Sequence, residues 1–164
     1  MLTALEQNAW EVLNLVEDPE IPVISVVELG IVRSVIDDNG TLKVNITPTY
    51  SGCPATQVIE DSVVEALNKA QLLPFEVKTV LSPSWCTDMI SEAGRQKLKE
   101  YGIAPPADHS VDKMALMGEE LQIKCPNCGS MDTQMVSQFG STPCKAHFKC
   151  KDCLEPFDYF KCLK

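Results

Sequence analysis

Apolar residues recur at helical spacing in three stretches of the first hundred residues. Residues 3–17 open with Thr3 and Glu6, the pattern of a capping box, and continue with apolar residues every three or four positions. Residues 55–70 and 90–101 carry the same spacing, and the last of these stretches stops at a glycine, which is common just past a helix end. The hydrophobic pattern therefore predicts three amphipathic helices.

Between these helices the chain has β-rich runs that are bounded by turn residues. Residues 31–36 and 42–47 are separated by a loop containing Asn39-Gly40, a dipeptide that suits the positive φ angles of a tight hairpin turn. Residues 75–81 alternate weakly between apolar and polar side chains and fit a third strand. The predicted order is helix, two strands, helix, strand, helix.

The periodic pattern fades after residue 103, and cysteines become dense after residue 120. Residues 104–120 contain two adjacent prolines and little periodicity, which is typical of a linker. Six of the eight cysteines lie in the last 40 residues. The sequence therefore predicts an N-terminal domain over residues 1–103, a linker over 104–120 and a separate cysteine-built module over 121–164.

Composition narrows the function classes further. The 164 residues suffice for one ordinary domain and a small module, which excludes a large enzyme. The net charge of −9 opposes binding to nucleic acids, and it is uneven, with −11 through residue 120 and +2 after it. No apolar run approaches the roughly 20 residues of a membrane helix, and the first residues lack a basic signal-peptide start. We expect a soluble, cytoplasmic protein without nucleic-acid or membrane partners.

Four of the C-terminal cysteines have the spacing of a metal site. Cys125 and Cys128 form one C-x-x-C unit, Cys150 and Cys153 form a second, and 21 residues separate the two units. Such pairs hold one tetrahedral zinc ion in zinc ribbons, although four thiolates also suit iron or an iron–sulfur cluster. We predict a β-rich zinc ribbon with hairpin arms over residues 133–139 and 146–148, whose folding depends on Zn²⁺.

Two further cysteines in this module leave alternatives open. Cys144 and Cys162 could replace other ligands, form a second metal or cluster site, or be small buried residues. His147 is a ligand by residue type, but its spacing does not improve on the four cysteines. The aromatic residues near the C-terminus are better explained as a small core around the ion than as a surface that stacks on bases.

Cys53 is a candidate of a different kind, because it stands alone before the second predicted helix. With Pro54 as the first helical residue, Cys53 would lie near the N-cap, where the helix dipole favours a thiolate. A thiolate there is a nucleophile or a soft metal ligand, whereas the alternative is a small residue in a tight turn. Asp18 and Glu20, next to a proline-stiffened loop, could add oxygen ligands or simply cap and solvate the turn.

Several of these motifs resemble a known family. Residues 18–22, 28–32 and 49–54 resemble the motifs of the MIP18 (DUF59) family, whose members act in iron–sulfur cluster assembly. The rest of the chain resembles the PaaD-like proteins of bacterial phenylacetate degradation. The stretches that carry this narrower resemblance are residues 82–85, 87–88, 91–95 and 155–162.

The resemblance implies an α+β chain, with a short sheet flanked by helices followed by a zinc-ribbon-like module. It implies a non-enzymatic accessory protein that matures the metal cofactor of the multicomponent phenylacetyl-CoA epoxygenase, with the iron–sulfur reductase and cluster assembly proteins as partners. Cys53 matches the reactive cysteine of the family and would carry iron or a cluster transiently, whereas Cys86 has no such counterpart. The alternatives are a structural subunit of that oxygenase, a general cluster assembly factor and a dithiol oxidoreductase.

Overall fold

The computed structural model describes residues 2–50, 52–106 and 122–161. The chain divides into two compact units, Met1–Gly94 and Arg95–Lys164. Most of the predicted linker, residues 107–120, lies outside the described residues, and the predicted domain boundaries stay a prediction.

The first unit contains two of the three predicted helices and the predicted hairpin. Its helices and strands are α1 (Ala4–Leu13), β1 (Val32–Asp38), β2 (Thr41–Ile46), α2 (Thr56–Lys69) and β3 (Phe75–Thr79). Helix α1 begins with the predicted capping box, because the Thr3 side chain accepts from the Glu6 N–H while the Glu6 carboxylate accepts from the Thr3 N–H. These local elements follow from patterns that short stretches of sequence carry by themselves.

The three strands form one sheet in the order β1-β2-β3. Strands β1 and β2 are antiparallel, and the turn between them places Asn39 and Gly40 at φ 53° and 88°, as their residue types predict. Strand β3 joins β2 in parallel after the crossover through α2. The buried side chains Val35, Val44 and Leu67 belong to the core of this unit.

Irregular segments complete this core before and after the sheet. The chain between α1 and β1 buries Ile21, Ile24 and Leu29 without forming a regular element. Trp85 is also buried, and its indole N–H donates to the Leu29 carbonyl at 2.9 Å. A 3₁₀ turn (Thr87–Met89) and helix α3 (Glu92–Glu100) follow.

The second unit is a β module. Its strands are β4 (Ile103–Ala104), β5 (Thr133–Ser137), β6 (Lys145–Cys150) and β7 (Pro156–Phe160), in the sheet order β4-β7-β6-β5. The antiparallel β5–β6 pair confirms the predicted hairpin arms. Strands β4 and β7 were not predicted, although the aromatic residues of β7 do form the predicted small core: Phe157 and Tyr159 pack against Phe148. The predicted α+β class is confirmed.

Within the described residues, every helix is too short or too polar to cross a bilayer.

Candidate metal centre

The two C-x-x-C units lie in two turns of the second unit. In the first turn, the Cys125 N–H donates to the Ser130 carbonyl at 2.8 Å and the Gly129 N–H donates to the Cys125 carbonyl at 2.9 Å. Gly129 has φ 79°, a conformation that a residue without Cβ adopts readily. In the second turn, Cys150 ends β6 and its N–H donates to the Glu155 carbonyl at 3.0 Å. Each turn therefore holds its cysteines by backbone hydrogen bonds.

The four thiol sulfurs lie close together in one cluster. The Sγ atoms of Cys125, Cys128, Cys150 and Cys153 all lie within 4.8 Å of one another. The Cys125 and Cys153 sulfurs are 3.8 Å apart, and the Cys128 and Cys150 sulfurs are 3.6 Å apart. A tetrahedron with metal–sulfur bonds of about 2.3 Å has edges of roughly 3.8 Å. The residues therefore fit a single tetrahedral ion.

The same distances bear on the alternative of an iron–sulfur cluster. In an iron–sulfur cluster the cysteine thiolates bind different iron atoms. Cysteine sulfurs on different irons are therefore farther apart than cysteine sulfurs that share one ion. Four sulfurs that all lie within 4.8 Å match one ion better than a cluster. One iron ion would fit as well as one zinc ion, because both take four thiolates in a tetrahedron.

Backbone donors, burial and hydrogen bonds among the sulfurs set the protonation of these thiols. The N–H of Cys153, with that of Asp152, donates to the Cys150 sulfur and lowers the pKa of this thiol to about 7, against the effect of burial. The N–H of Glu155 lowers the pKa of Cys153, but burial and the other three sulfurs together have the larger, opposite effect. The pKa of Cys153 is therefore raised to about 12. A cation among the sulfurs would favour the deprotonated form of all four, because each ligand binds as a thiolate.

Two side-chain contacts that no sequence pattern indicated join the two turns. The Ser130 hydroxyl donates to the Asp152 carboxylate, and the Lys151 ammonium contacts the Asp132 carboxylate at 2.9 Å. Both pairs connect the first C-x-x-C turn and the start of β5 to the second turn. Serine and aspartate are common in exposed turns, so their residue types alone carry no signal of this contact.

Two of the additional candidates in this unit, Cys144 and His147, lie outside the four-sulfur group. Cys144 is buried, and its sulfur is 3.1 Å from the Thr142 hydroxyl oxygen. His147 Nδ1 is 3.2 Å from an oxygen of Asp158 on the neighbouring strand. Cys162 lies outside the described residues. The roles of Cys144 and Cys162 as extra ligands stay a prediction.

Cys53 is half-buried in the loop that leads to α2. Helix α2 has Ala55 as its N-cap residue, so Pro54 precedes the helix instead of opening it. The cause is a turn in which the backbone N–H and the hydroxyl of Thr56 both donate to the Cys53 carbonyl, at 3.2 and 2.9 Å. Cys53 is therefore close to the N-cap, as predicted, but two residues before it, because the expectation of Pro54 as the first helical residue was wrong. The helix dipole acts on Cys53 less directly from there.

Asp18 and Glu20 lie in the loop after α1. Asp18 is buried, and its Oδ1 accepts hydrogen bonds from the Glu20 and Ile21 N–H groups, both at 2.9 Å. This arrangement matches the capping alternative of the sequence analysis. Glu20 is half-buried. A role of either residue as an oxygen ligand stays a prediction.

Comparison with known proteins matches two parts of the chain to two different families. A family model described as the PaaD zinc beta ribbon domain matches residues 109–161, and one described as an iron-sulfur cluster assembly protein matches residues 6–81. The chain is 44% identical over 154 residues to an Escherichia coli (strain K12) protein that is named as a putative subunit of 1,2-phenylacetyl-CoA epoxidase, covering 94% of this chain and 91% of that protein. The chain belongs to the PaaD family.

The first part of this PaaD family member is also similar to smaller proteins. The Bacillus subtilis (strain 168) Fe-S protein maturation auxiliary factor YitW is 37% identical over 93 residues, which cover 56% of this chain and 90% of that protein. The crystal structure of a DUF59 domain from Bacillus anthracis matches with a TM-score of 0.54 and 30% identity, covering 58% of this chain and 92% of that one. The expected resemblance to the DUF59 fold is confirmed. The ribbon family and the sulfur geometry together support metal binding by the second unit.

Proposed function

We propose that this PaaD family member is a maturation factor for the iron–sulfur centre of phenylacetyl-CoA epoxidase. The observation that carries the proposal is the joining of two parts in one chain. One part matches an iron-sulfur cluster assembly family and is similar to Fe-S maturation factors over nine-tenths of their length. The whole chain is similar to a protein named for the epoxidase. A factor dedicated to one client would combine these properties.

In this proposal the four-cysteine centre is structural and holds Zn²⁺. Cys125, Cys128, Cys150 and Cys153 provide the four thiolates, so no coordination position remains open for a substrate. When bound, the ion supplies folding free energy to a module with a small core. The spacing of the sulfurs and the match to a zinc ribbon family support zinc.

Cys53 is the proposed carrier residue for iron or a cluster. Its thiol is half-buried in a loop, so a ligand there can be accepted and released, unlike an ion in a closed site. Asp18 and Glu20 are the proposed oxygen ligands during the transfer. The cargo would pass to the iron–sulfur reductase component of the epoxidase, after delivery by cluster assembly proteins in the cytoplasm.

The proposal is tested by cofactor loading of the client. The epoxidase components are produced together with the full chain or with Cys53→Ser, the reductase is purified anaerobically, and its iron and labile sulfide are measured. We expect Cys53→Ser to lower loading to the level found without the factor, while Cys86→Ser keeps it, because Cys86 is an equally half-buried cysteine of the same unit. Full loading with Cys53→Ser would refute the carrier role.

A second candidate function is a structural subunit of the epoxidase that transfers no metal. The word "subunit" in the name of the Escherichia coli relative favours it. A structural subunit must remain in the complex at fixed stoichiometry, whereas a maturation factor restores loading when present in substoichiometric amounts. Loading of an unrelated iron–sulfur protein in the same cells separates both candidates from a general assembly factor, which would affect that protein as well.

A further inference from the structure

Ser130 and Asp152 each lie two residues after a cysteine of the four-sulfur group. Ser130 follows the first C-x-x-C unit, and its backbone N–H donates to the sulfur of Cys128. Asp152 lies between the two cysteines of the second C-x-x-C pair, and its backbone N–H donates to the sulfur of Cys150. The side chains of these two residues meet, because the Ser130 hydroxyl donates to Asp152 Oδ2. One hydrogen bond therefore connects the two residues that orient one sulfur in each turn.

The surrounding contacts restrain this connection. The Asp132 N–H donates to the Ser130 hydroxyl oxygen at 3.0 Å, which leaves the hydroxyl proton directed at Asp152. The Lys151 N–H donates to the Asp132 carbonyl at 2.8 Å, and the Lys151 ammonium pairs with the Asp132 carboxylate. Ser130, Asp132, Lys151 and Asp152 thus form a closed ring of contacts across the two turns, which we name the knuckle tie.

The knuckle tie spans the junction where the two turns meet. The sulfurs of Cys128 and Cys150 are 3.6 Å apart, and the tie joins the residues that donate to these two sulfurs. An exposed hydrogen bond adds little to the stability of a folded chain by itself. We expect a larger effect on a bound ion, because separation of the two turns takes the thiolates of one turn away from it.

We propose that Ser130 and Asp152 are positioning residues that hold the two C-x-x-C turns at coordinating distance and slow the release of the ion. This proposal rests on the four-cysteine metal centre of the proposed function. Outer residues that orient metal ligands commonly change metal affinity by about 10- to 100-fold when they are replaced. The tie acts through geometry, and the negative charge of Asp152 is not needed for it.

The test measures zinc release from the full-length protein to an excess of a chromogenic chelator. We expect Ser130→Ala and Asp152→Ala each to release zinc about tenfold faster than the parent protein. Asp152→Asn removes the charge but keeps an oxygen acceptor, and Ser130→Thr keeps the hydroxyl, so both should stay within about twofold of the parent. The control is Glu155→Ala, which removes a carboxylate near the same cysteines that makes no hydrogen bond or ion pair among the described residues.

A double variant tests whether the two side chains act through one bond. Ser130→Ala with Asp152→Ala should release zinc no faster than either single variant, because the bond is already lost in each. Equal rates in the parent and single variants, or a double variant whose effect is the product of the two, would overturn the proposal. The Co²⁺-loaded Asp152→Asn variant should keep the parent's thiolate absorption spectrum, which shows that the ligand set is intact. A parent protein that binds no metal would instead refute the metal centre itself.

Discussion

Gly30 sits where the backbone leaves no room for a side chain. Its φ is 73°, and an added Cβ would lie 2.4 Å from the Met89 carbonyl oxygen. Gly40 in the β1–β2 turn has φ 88° but nothing within 4 Å of such a Cβ. We expect Gly30→Ala to lower the free energy of unfolding by roughly 3 kcal/mol or more, from backbone strain plus overpacking.

Gly40→Ala is the matched control for this prediction. It carries the backbone strain without the close contact, so its cost should be about 1 kcal/mol. Urea unfolding followed by tryptophan fluorescence measures both variants, because Trp10 and Trp85 both belong to the first unit. Equal losses for the two variants would show that the contact with Met89 does not limit this position.

Substitutions of Asp18 test whether this candidate ligand has a purely structural role. Asp18→Ala removes the acceptor of two backbone N–H groups in a buried turn, which should cost about 2 kcal/mol of unfolding free energy. Glu17→Ala, at the exposed neighbouring residue, should change it by less than about 0.5 kcal/mol. If Asp18→Asn keeps the stability of the parent but lowers cofactor loading of the client, Asp18 is also a ligand.

Residue identity predicted the four-cysteine group but not its surroundings. The paired spacing of Cys125, Cys128, Cys150 and Cys153 indicates a shared site because each pair spans a single turn. The contact of Ser130 with Asp152 depends on how two distant turns approach each other, and no local pattern carries that information. The stretch 55–70 predicted α2 to within one residue at each end, but Pro54 does not open the helix, and the Thr56 hydroxyl donates to the Cys53 carbonyl in the turn before it.

At the scale of elements, local sequence patterns predicted the helices and the hairpin, but they did not predict which distant strands pair. The capping box of α1 and the Asn39-Gly40 turn are complete within a few residues. Strand β4 has two residues and exists because it pairs with β7, more than 50 residues later. The parallel pairing of β3 with β2 likewise depends on the crossover through α2.

The ribbon should lose its strands when its ion is removed. Its core is built on a few side chains such as Phe148 and Tyr159, together with two of the cysteines themselves. In zinc-finger peptides the ion contributes on the order of 10 kcal/mol to folding. We expect a chelator to abolish the dispersed amide signals of β5, β6 and β7 in heteronuclear NMR spectra.

The first unit provides the internal control for metal removal. None of the four clustered cysteines belongs to it, so the amide signals of β1 and β2 should keep their dispersion in the chelated protein. Readdition of Zn²⁺ should restore the ribbon signals. Dispersed signals for Phe148 and Tyr159 in metal-free protein would contradict a folding role of the ion.

At the scale of the whole molecule, the cysteines in the described part of the chain fall into three environments with different expected reactivity toward an alkylating reagent. Cys53 and Cys86 are half-buried in the first unit, four cysteines surround the candidate ion, and Cys144 is buried in the second unit without belonging to the four. Thiolates bound to an ion are poor nucleophiles and buried thiols are inaccessible. In metal-loaded protein, Cys53 and Cys86 should therefore be labelled first.

Chelation should change the order in which the cysteines are alkylated. The new order distinguishes loss of the ion from unfolding of the ribbon. Removal of the ion frees Cys125, Cys128, Cys150 and Cys153, and peptide mapping by mass spectrometry should find all four labelled. Cys144 is buried outside the four-sulfur group, so we expect it to become labelled only if its surroundings unfold. Because the ion supplies much of the folding free energy of the ribbon, we expect Cys144 to be labelled together with the four. Labelling of the four with Cys144 still protected would mean that the ribbon folds without its metal.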